Sequence, residues 1–532
     1  MTHPTSTRRR GALAAGAALV LALGLTACGS DEGTNLTAAP APTDGVLELG
    51  FLDDPGQPPD PDVFYAGSGL ALTTNLYEGL VEYADGEEPT LEPKLATEWT
   101  ADKTNTRFNF KLRKGVTFHD GTPFDASAVQ ASFERRLAVG GGPAYMAEGV
   151  KSFQSPDPYT VTITLEQPNS SFLDQLASPY GPRMMSPTGL RKHAAKDHAQ
   201  AYLAAHSLGT GPYQLSVAKV DDRYQLKAYD GYWGDEPQFT TVDFRVYKDV
   251  GALQLALNNG DLAAIIGAVP SNAQTSYAKQ DTLDVYKLPT FQVGILQMNP
   301  NREFMKTPEA RKALYQAIDW DKVIEQIVPE TNVRATGAYA EGALPEGVAP
   351  MEVPYDPEPL AAYAKSLPKN TPVDLGVITG GGDDSQIANL VAAQLQALGL
   401  KAKVTEHQTS EIFGDFHEDP TKAPDVMFSS KTWPDSSDPY LYGHVFWDPD
   451  GGLNHLGCSD PTATKELAEG LRTGSEADYA AAAAAITKAM CNPIWSYARD
   501  FVVAQPWLGG VEEAHSVAEP YTLAFAELTV EE

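Results

Sequence analysis

Between Arg107 and Leu112 polar and apolar residues alternate without a break (Arg-Phe-Asn-Phe-Lys-Leu), the two-residue period of a strand with one buried face. His119-Asp120-Gly121-Thr122-Pro123 then interrupts the run with turn-forming residues. Beyond it Asp125 stands where an N-cap belongs. Val129, Phe133 and Leu137 recur at helical spacing up to Gly140, which predicts an amphipathic helix. Comparable patterns predict strands over 46–51, 160–165, 224–229, 242–247 and 292–299, and helices over 252–259 and 308–318. A strand over 373–378, a helix over 385–398 and a strand over 401–405 follow one another as a βαβ unit. Such a unit requires a parallel strand pair and a right-handed crossover. No segment repeats another.

The length, 532 residues, exceeds what one hydrophobic core holds, so two or more domains are expected. A hydrophobic fraction of 42% supplies ample core material, and 39 basic against 70 acidic residues give a formal net charge of −31. That balance argues against general nucleic-acid binding and against adhesion to anionic lipid.

The first residues follow a different logic. Thr7-Arg8-Arg9-Arg10 is a charged opening, 11–25 is an apolar Ala/Leu-rich run, and Leu25-Thr26-Ala27-Cys28-Gly29 follows. The run is short for a membrane span and resembles a signal peptide closed by a bacterial lipobox, with Cys28 as the lipidated first mature residue. An ordinary secretion signal is the alternative, and the paired arginines leave Sec and Tat export both open. Residues 1–27 are accordingly read as a signal peptide and 28–45, polar and rich in Pro and Ala, as a flexible tether. A tether of that length reaches roughly 20–25 Å. The remaining cysteines, Cys458 and Cys491, flank two expected helices. Asp460 and Pro461 open the first, which ends near Gly474; Ser475-Glu476-Ala477-Asp478 resembles a capping box for the second, which runs to about Met490. Two antiparallel helices place these ends side by side, so a Cys458–Cys491 disulfide is expected, with two separate buried thiols as the alternative.

Catalytic and metal chemistry finds little support. His119 and Asp120 are adjacent in sequence and point to opposite faces of an extended chain, and no G-x-S-x-G motif accompanies them. Gly380-Gly381-Gly382 lacks the G-K-(S/T) ending of a phosphate loop, and Asp383-Asp384 would repel phosphate. Ten histidines form no H-E-x-x-H motif and no Cys/His cluster, and Asp448-Pro449-Asp450-Gly451 lacks the later ligands of a calcium loop. No enzyme activity, no metal and no cofactor is expected; a secreted lipoprotein hydrolase is kept as the rival class.

Several ordered motifs carry a family resemblance. They are P-x-L-A-x-x-W from Pro93 to Trp99, F-x-L-R-x-G-V-x-F-H-D-G-x-P-F from Phe110 to Phe124, and S-F-x-R from Ser132 to Arg135. Asn75-Leu76-Tyr77-Glu78-Gly79-Leu80, Gly209-Thr210-Gly211-Pro212-Tyr213, Tyr232-Trp233-Gly234 and the helix from Ala310 to Asp319 add to them. Together they resemble the family 5 extracellular solute-binding proteins, the receptors of peptide- and nickel-type ABC importers. One family position departs: the aspartate usual three residues after Gly260 is Ala263. The resemblance implies an α/β fold, a two-lobed periplasmic-binding-protein-like clamp with an additional subdomain in the first lobe and a two-strand hinge. Lobe I would comprise 46–292, including a subdomain over about 73–206, with lobe II over 293–502 and 503–532 returning to lobe I. The hinge strands would lie near 292–298 and 501–505.

It also implies a site. In peptide-binding members an aspartate four residues before the Pro of a D-P pair holds the ligand's α-ammonium, and Asp435 occupies that position before Pro439. A solvated Asx turn is the plain alternative, to which Pro434 lends weight. Trp433, Tyr440, Tyr65, Phe291 and Tyr180 are expected to supply aromatic walls. The implied protein is a monomeric substrate-binding lipoprotein on the outer face of the cell membrane. It would touch the membrane only through its lipid anchor and deliver a solute, most simply a short peptide, to an ABC permease and ATPase. A glycoside or a metal chelate is the alternative cargo, and a sensor built on the same clamp is not distinguished.

Overall fold

The computed structural model describes residues 39–531 apart from 53, 68, 85–88, 268, 342, 344–350 and 352; Cys28 and the signal segment lie outside the described residues. The end of the stretch read as tether is laid on the folded body. The Ala39 N–H donates to Gln505 Oε1 at 3.2 Å, and Ala39 packs where a side chain at Gly260 would stand.

Among the described residues one eleven-stranded mixed sheet runs through the molecule. Its order is Lys401–His407, Pro372–Ile378, Val426–Thr432, Asp284–Met298, Ile494–Ala504, Ala264–Ile265, Val46–Leu52, Thr241–Tyr247, Arg223–Ala228 and Tyr213–Lys219, with Asn332–Arg334 on the side of Ile494–Ala504. The expected βαβ unit is present: Pro372–Ile378 and Lys401–His407 pair in parallel and helix Gly382–Ala397 joins them. The two central strands, Asp284–Met298 and Ile494–Ala504, are antiparallel and serve both halves of the sheet. Their ladder shifts register between Pro289 and Val293. Side chains stitch that point: Thr290 Oγ1 donates to the Ala498 carbonyl at 2.9 Å and Gln292 Nε2 to Asp500 Oδ1 at 2.7 Å. A crossing held partly by side chains can bend without breaking a continuous ladder, which is what a hinge requires.

The alternating run near residue 110 forms strand Arg107–Leu112 in a separate four-stranded antiparallel sheet, ordered Ala96–Ala101, Arg107–Leu112, Thr160–Leu165 and Val150–Asp157. Phe108, Phe110 and Leu112 are buried, as the alternation requires. Helix Ala126–Val139 begins where Asp125 accepts the Ser127 N–H at 2.8 Å and stops at Gly140, whose φ of 61° suits glycine. One position departs from the expected stripe. Leu137 is 45% exposed, whereas Arg136 is fully buried on the face shared with Val129 and Phe133.

Arg136 takes a core position because it is saturated. Its Nε donates to Asp62 at 2.8 Å, and its Nη atoms donate to the carbonyls of Pro61, Pro143, Tyr180 and Gly181 at 2.5–3.2 Å. Beside it Arg135 bonds Asp60 and Asp62 at 2.5–2.8 Å. Buried charges persist when paired and fully bonded, as these four are.

The sequence motifs meet in space. Glu78 accepts from Thr210 Oγ1 at 2.6 Å and Trp233 Nε1 at 2.9 Å, joining three motifs in one buried cluster. A side chain on Gly209 would sit 2.1 Å from the Leu76 carbonyl oxygen, so only glycine allows that approach. His119 contacts Ser207 Oγ at 2.8 Å and the Gly211 carbonyl at 3.1 Å, while Asp120 accepts from Ser186 and Thr122. The two neighbours therefore face different partners, and burial lowers the His119 imidazole to about 4, keeping it neutral. This region is scaffold.

Cys458 and Cys491 form a disulfide that joins the start of helix Pro461–Thr473 to the end of helix Glu476–Ala489. Only half of the anticipated capping box exists. Ser475 accepts the Asp478 N–H, but the Ser475 N–H goes to Thr473 Oγ1 at 3.2 Å, and the Asp478 carboxylate accepts the Thr473 hydroxyl at 3.2 Å instead. Closing 33 residues, the bridge contributes about 3–4 kcal/mol in the chain-entropy model. The Cys458→Ser/Cys491→Ser variant is expected to lose that amount, read as a lower urea midpoint with a steeper slope, since the uncrosslinked denatured chain exposes more surface.

Candidate functional site

Strand Val426–Thr432 ends beside a short polar turn, Trp433 to Asp438, before helix Pro439–Trp447. Asp438 caps that helix, accepting the Leu441 N–H at 2.9 Å. Asp435 sits at the centre of the turn with φ 64°, and the Ser436 N–H donates back to the Pro434 carbonyl at 2.8 Å. A two-residue hydrogen bond around a non-glycine residue at positive φ is the rare, strained form of γ-turn. Such strain costs about 1–3 kcal/mol and persists where the surroundings over-determine it.

The surroundings come from segments far away in sequence. The Asp435 carboxylate, 3% exposed, accepts the hydroxyls of Tyr65 and of Tyr145, the latter at 2.6 Å. Ser178 Oγ donates to its backbone carbonyl at 2.6 Å. Burial raises the carboxyl to about 6, with the two tyrosine hydroxyls and the neighbouring His444 acting in the opposite direction. At neutral pH it is therefore mostly an anion, held in a buried site. No ion pair to it occurs among the described residues.

Aromatic rings line both sides. Tyr65 meets Tyr180 edge-on at 5.0 Å, and Tyr180 meets Trp433 at 5.1 Å. On the far side Tyr440 stacks on His444 at 5.5 Å, and His444 lies 6.2 Å from Tyr145. Trp433 is buried, and its Nε1 has no hydrogen-bond partner among the described residues. Phe291 is fully buried in the crossing strand, in the same apolar cluster as Trp433 and Tyr180.

Asp435, Trp433, Tyr65 and Tyr180 are thus brought into one cluster, with Tyr440 at its edge and Phe291 behind it in the core. Tyr145, Ser178 and His444 join them without having been anticipated. Nothing local marks them: Tyr145 lies in the short helical turn Gly142–Ala147, a segment that Arg136 ties to the one carrying Tyr180 through its bonds to Pro143 and Tyr180.

Comparisons with known proteins identify the family and the fold. Residues 90–454 match the model of the bacterial extracellular solute-binding proteins, family 5. The chain is 28% identical over 411 residues to the probable D,D-dipeptide-binding periplasmic protein DdpA of Escherichia coli, covering 76% of this chain and 78% of that one. Among solved structures it resembles the periplasmic binding protein DppA from Helicobacter pylori in complex with the peptide STSA (TM-score 0.78, 20% identity, 92% and 98% of the two chains). It also resembles NikA from Brucella suis in complex with Fe(III)-EDTA (TM-score 0.79, 22% identity, 91% and 100% of the two chains). The family model spans more than half of the chain and the solved structures share its two-lobed α/β fold: the chain belongs to the family 5 extracellular solute-binding proteins, the solute receptors of ABC importers.

Proposed function

We propose that this receptor captures short peptides, with the Asp435 carboxylate holding the peptide's α-ammonium between the lobes. The observation that carries the reading is a buried carboxylate in a strained turn, contacted among the described residues by the hydroxyls of Tyr65 and Tyr145 and paired with no cation. A charge desolvated without a cation is costly, and an ammonium supplies the missing partner. Every peptide presents that group, so one carboxylate can anchor the class while the side chains go unread. The unpartnered Trp433 Nε1 offers a donor for a ligand carbonyl close by. The DdpA relative and the Helicobacter pylori protein, named for a dipeptide and bound to a peptide, support this cargo. In this reading the protein binds and does not catalyse. It acts as a monomer outside the cytoplasm, held at the membrane by a lipid on Cys28, and passes its cargo to the permease.

Native mass spectrometry of freshly purified protein tests the cargo. A ladder of peptide masses is expected; a single chelate mass, like that of the Brucella suis complex, or a single sugar mass would overturn it.

A further inference from the structure

A second pair of carboxylates lies at the junction of the lobes, outside the Asp435 cluster. Asp174 belongs to helix Phe172–Ala177 of the first lobe, and Asp438 caps helix Pro439–Trp447 of the second. Both line one cavity of about 330 Å³, together with Glu476 and Tyr479. A chain of hydrogen bonds ties them across the junction. The Tyr83 hydroxyl donates to Asp174 Oδ1 at 2.8 Å and lies 2.7 Å from Ser436 Oγ, which accepts the Asp438 N–H at 3.2 Å. The other ionisable groups facing the pair are Tyr339, Tyr440 and Tyr479, besides Glu476 on the cavity wall. No lysine, arginine or histidine among the described residues pairs with either carboxylate.

Closing the lobes therefore brings two acids together and provides no cation between them. We propose that closure of this clamp is proton-linked: the Asp174–Asp438 pair takes up a proton when the lobes meet and gives it up when they part. Two carboxylates held close cannot both stay ionised at little cost, and one proton resolves the conflict. Burial first, then the proximity of Asp438, pushes Asp174 up to about 7, and burial raises Asp438 as well. With the lobes apart each acid faces water and returns towards the ordinary carboxylate range.

The sign follows from linkage. A carboxyl whose affinity for protons is higher in the closed form favours closure in acid. That advantage is whole below the ordinary carboxylate range, declines as the pH rises towards about 7, and is gone above it. Asp435, raised to about 6 in the same closed arrangement, adds a smaller component with the same sign that ends about one pH unit earlier. None of this depends on the cargo, because it concerns the ligand-free protein.

The Ser170 amide reports closure directly. It donates to the Leu471 carbonyl across the junction at 2.8 Å, so it exchanges with solvent when the lobes separate. Its protection factor in ligand-free protein, corrected for the intrinsic pH dependence of exchange, is expected to fall roughly tenfold between pH 6 and 7.5. In Asp174→Asn, which keeps an acceptor for Tyr83, the fall should shrink to about twofold, the part due to Asp435. Asp438→Asn, still able to cap its helix, should shrink the fall by less, because burial, the larger cause, still acts on Asp174. A flat or absent protection in the unmodified protein, or an undiminished fall in both variants, would overturn the proposal. Either result would leave the peptide reading untouched, since no peptide is present.

Discussion

Asp435→Asn is expected to weaken binding of a dipeptide such as Ala-Ala by about 2–5 kcal/mol, the range for removing one member of a buried, hydrogen-bonded charge pair. Asparagine is the better substitution here because it tolerates positive φ, so the turn at φ 64° survives. Its side-chain oxygen can still accept from Tyr65 and Tyr145, and what disappears is the charge. Asp435→Ala should lose at least as much affinity, since it also strains a residue without a polar side chain in that conformation. Calorimetry with both variants, alongside a thermal unfolding check, reads the effect. Affinity equal to that of the unmodified protein in the folded Asn variant would remove Asp435 from the role of ammonium anchor.

The second large effect concerns Arg136. Arg136→Met is expected to destabilise the protein by about 3–5 kcal/mol, because it strands part of the Asp62 charge and four carbonyls in the interior. Urea unfolding measures it. The consequence should reach the cleft, since Arg136 ties together the segments that carry Tyr65, Tyr145 and Tyr180. Dipeptide affinity is therefore expected to fall even at temperatures where the variant is fully folded, although Arg136 touches neither Asp435 nor the cleft. An unchanged affinity in folded Arg136→Met would show that the tyrosines hold their places without it.

The Arg136 case shows where a sequence pattern stops being informative. The helix itself was legible: the Asp125 cap, the spacing of Val129 and Phe133, and the Gly140 stop all follow from local chemistry. Its inward face was not fully legible, because periodicity assigns apolar residues to the core and cannot anticipate an arginine satisfied by carbonyls from two distant segments and from the chain just beyond its own helix. Leu137 was left to solvent as a result. The same limit applies at the cleft. Asp435 stands out by its place before Pro439, and Trp433 by its nearness to it, but Tyr145 is separated from Asp435 by 290 residues and lies in no motif.

The sequence by itself determined the elements, the βαβ unit, the two helices that the disulfide joins, and the motif set that marks the family. Those features depend on interactions within a few residues or on residue types a whole family shares. Tertiary structure alone decided which side chains come together from distant parts of the chain: Tyr65 and Tyr145 on Asp435, and Asp174 and Asp438 on the wall of one cavity. A carboxylate's charge state and worth depend on what closes over it, and that is set by packing between segments hundreds of residues apart.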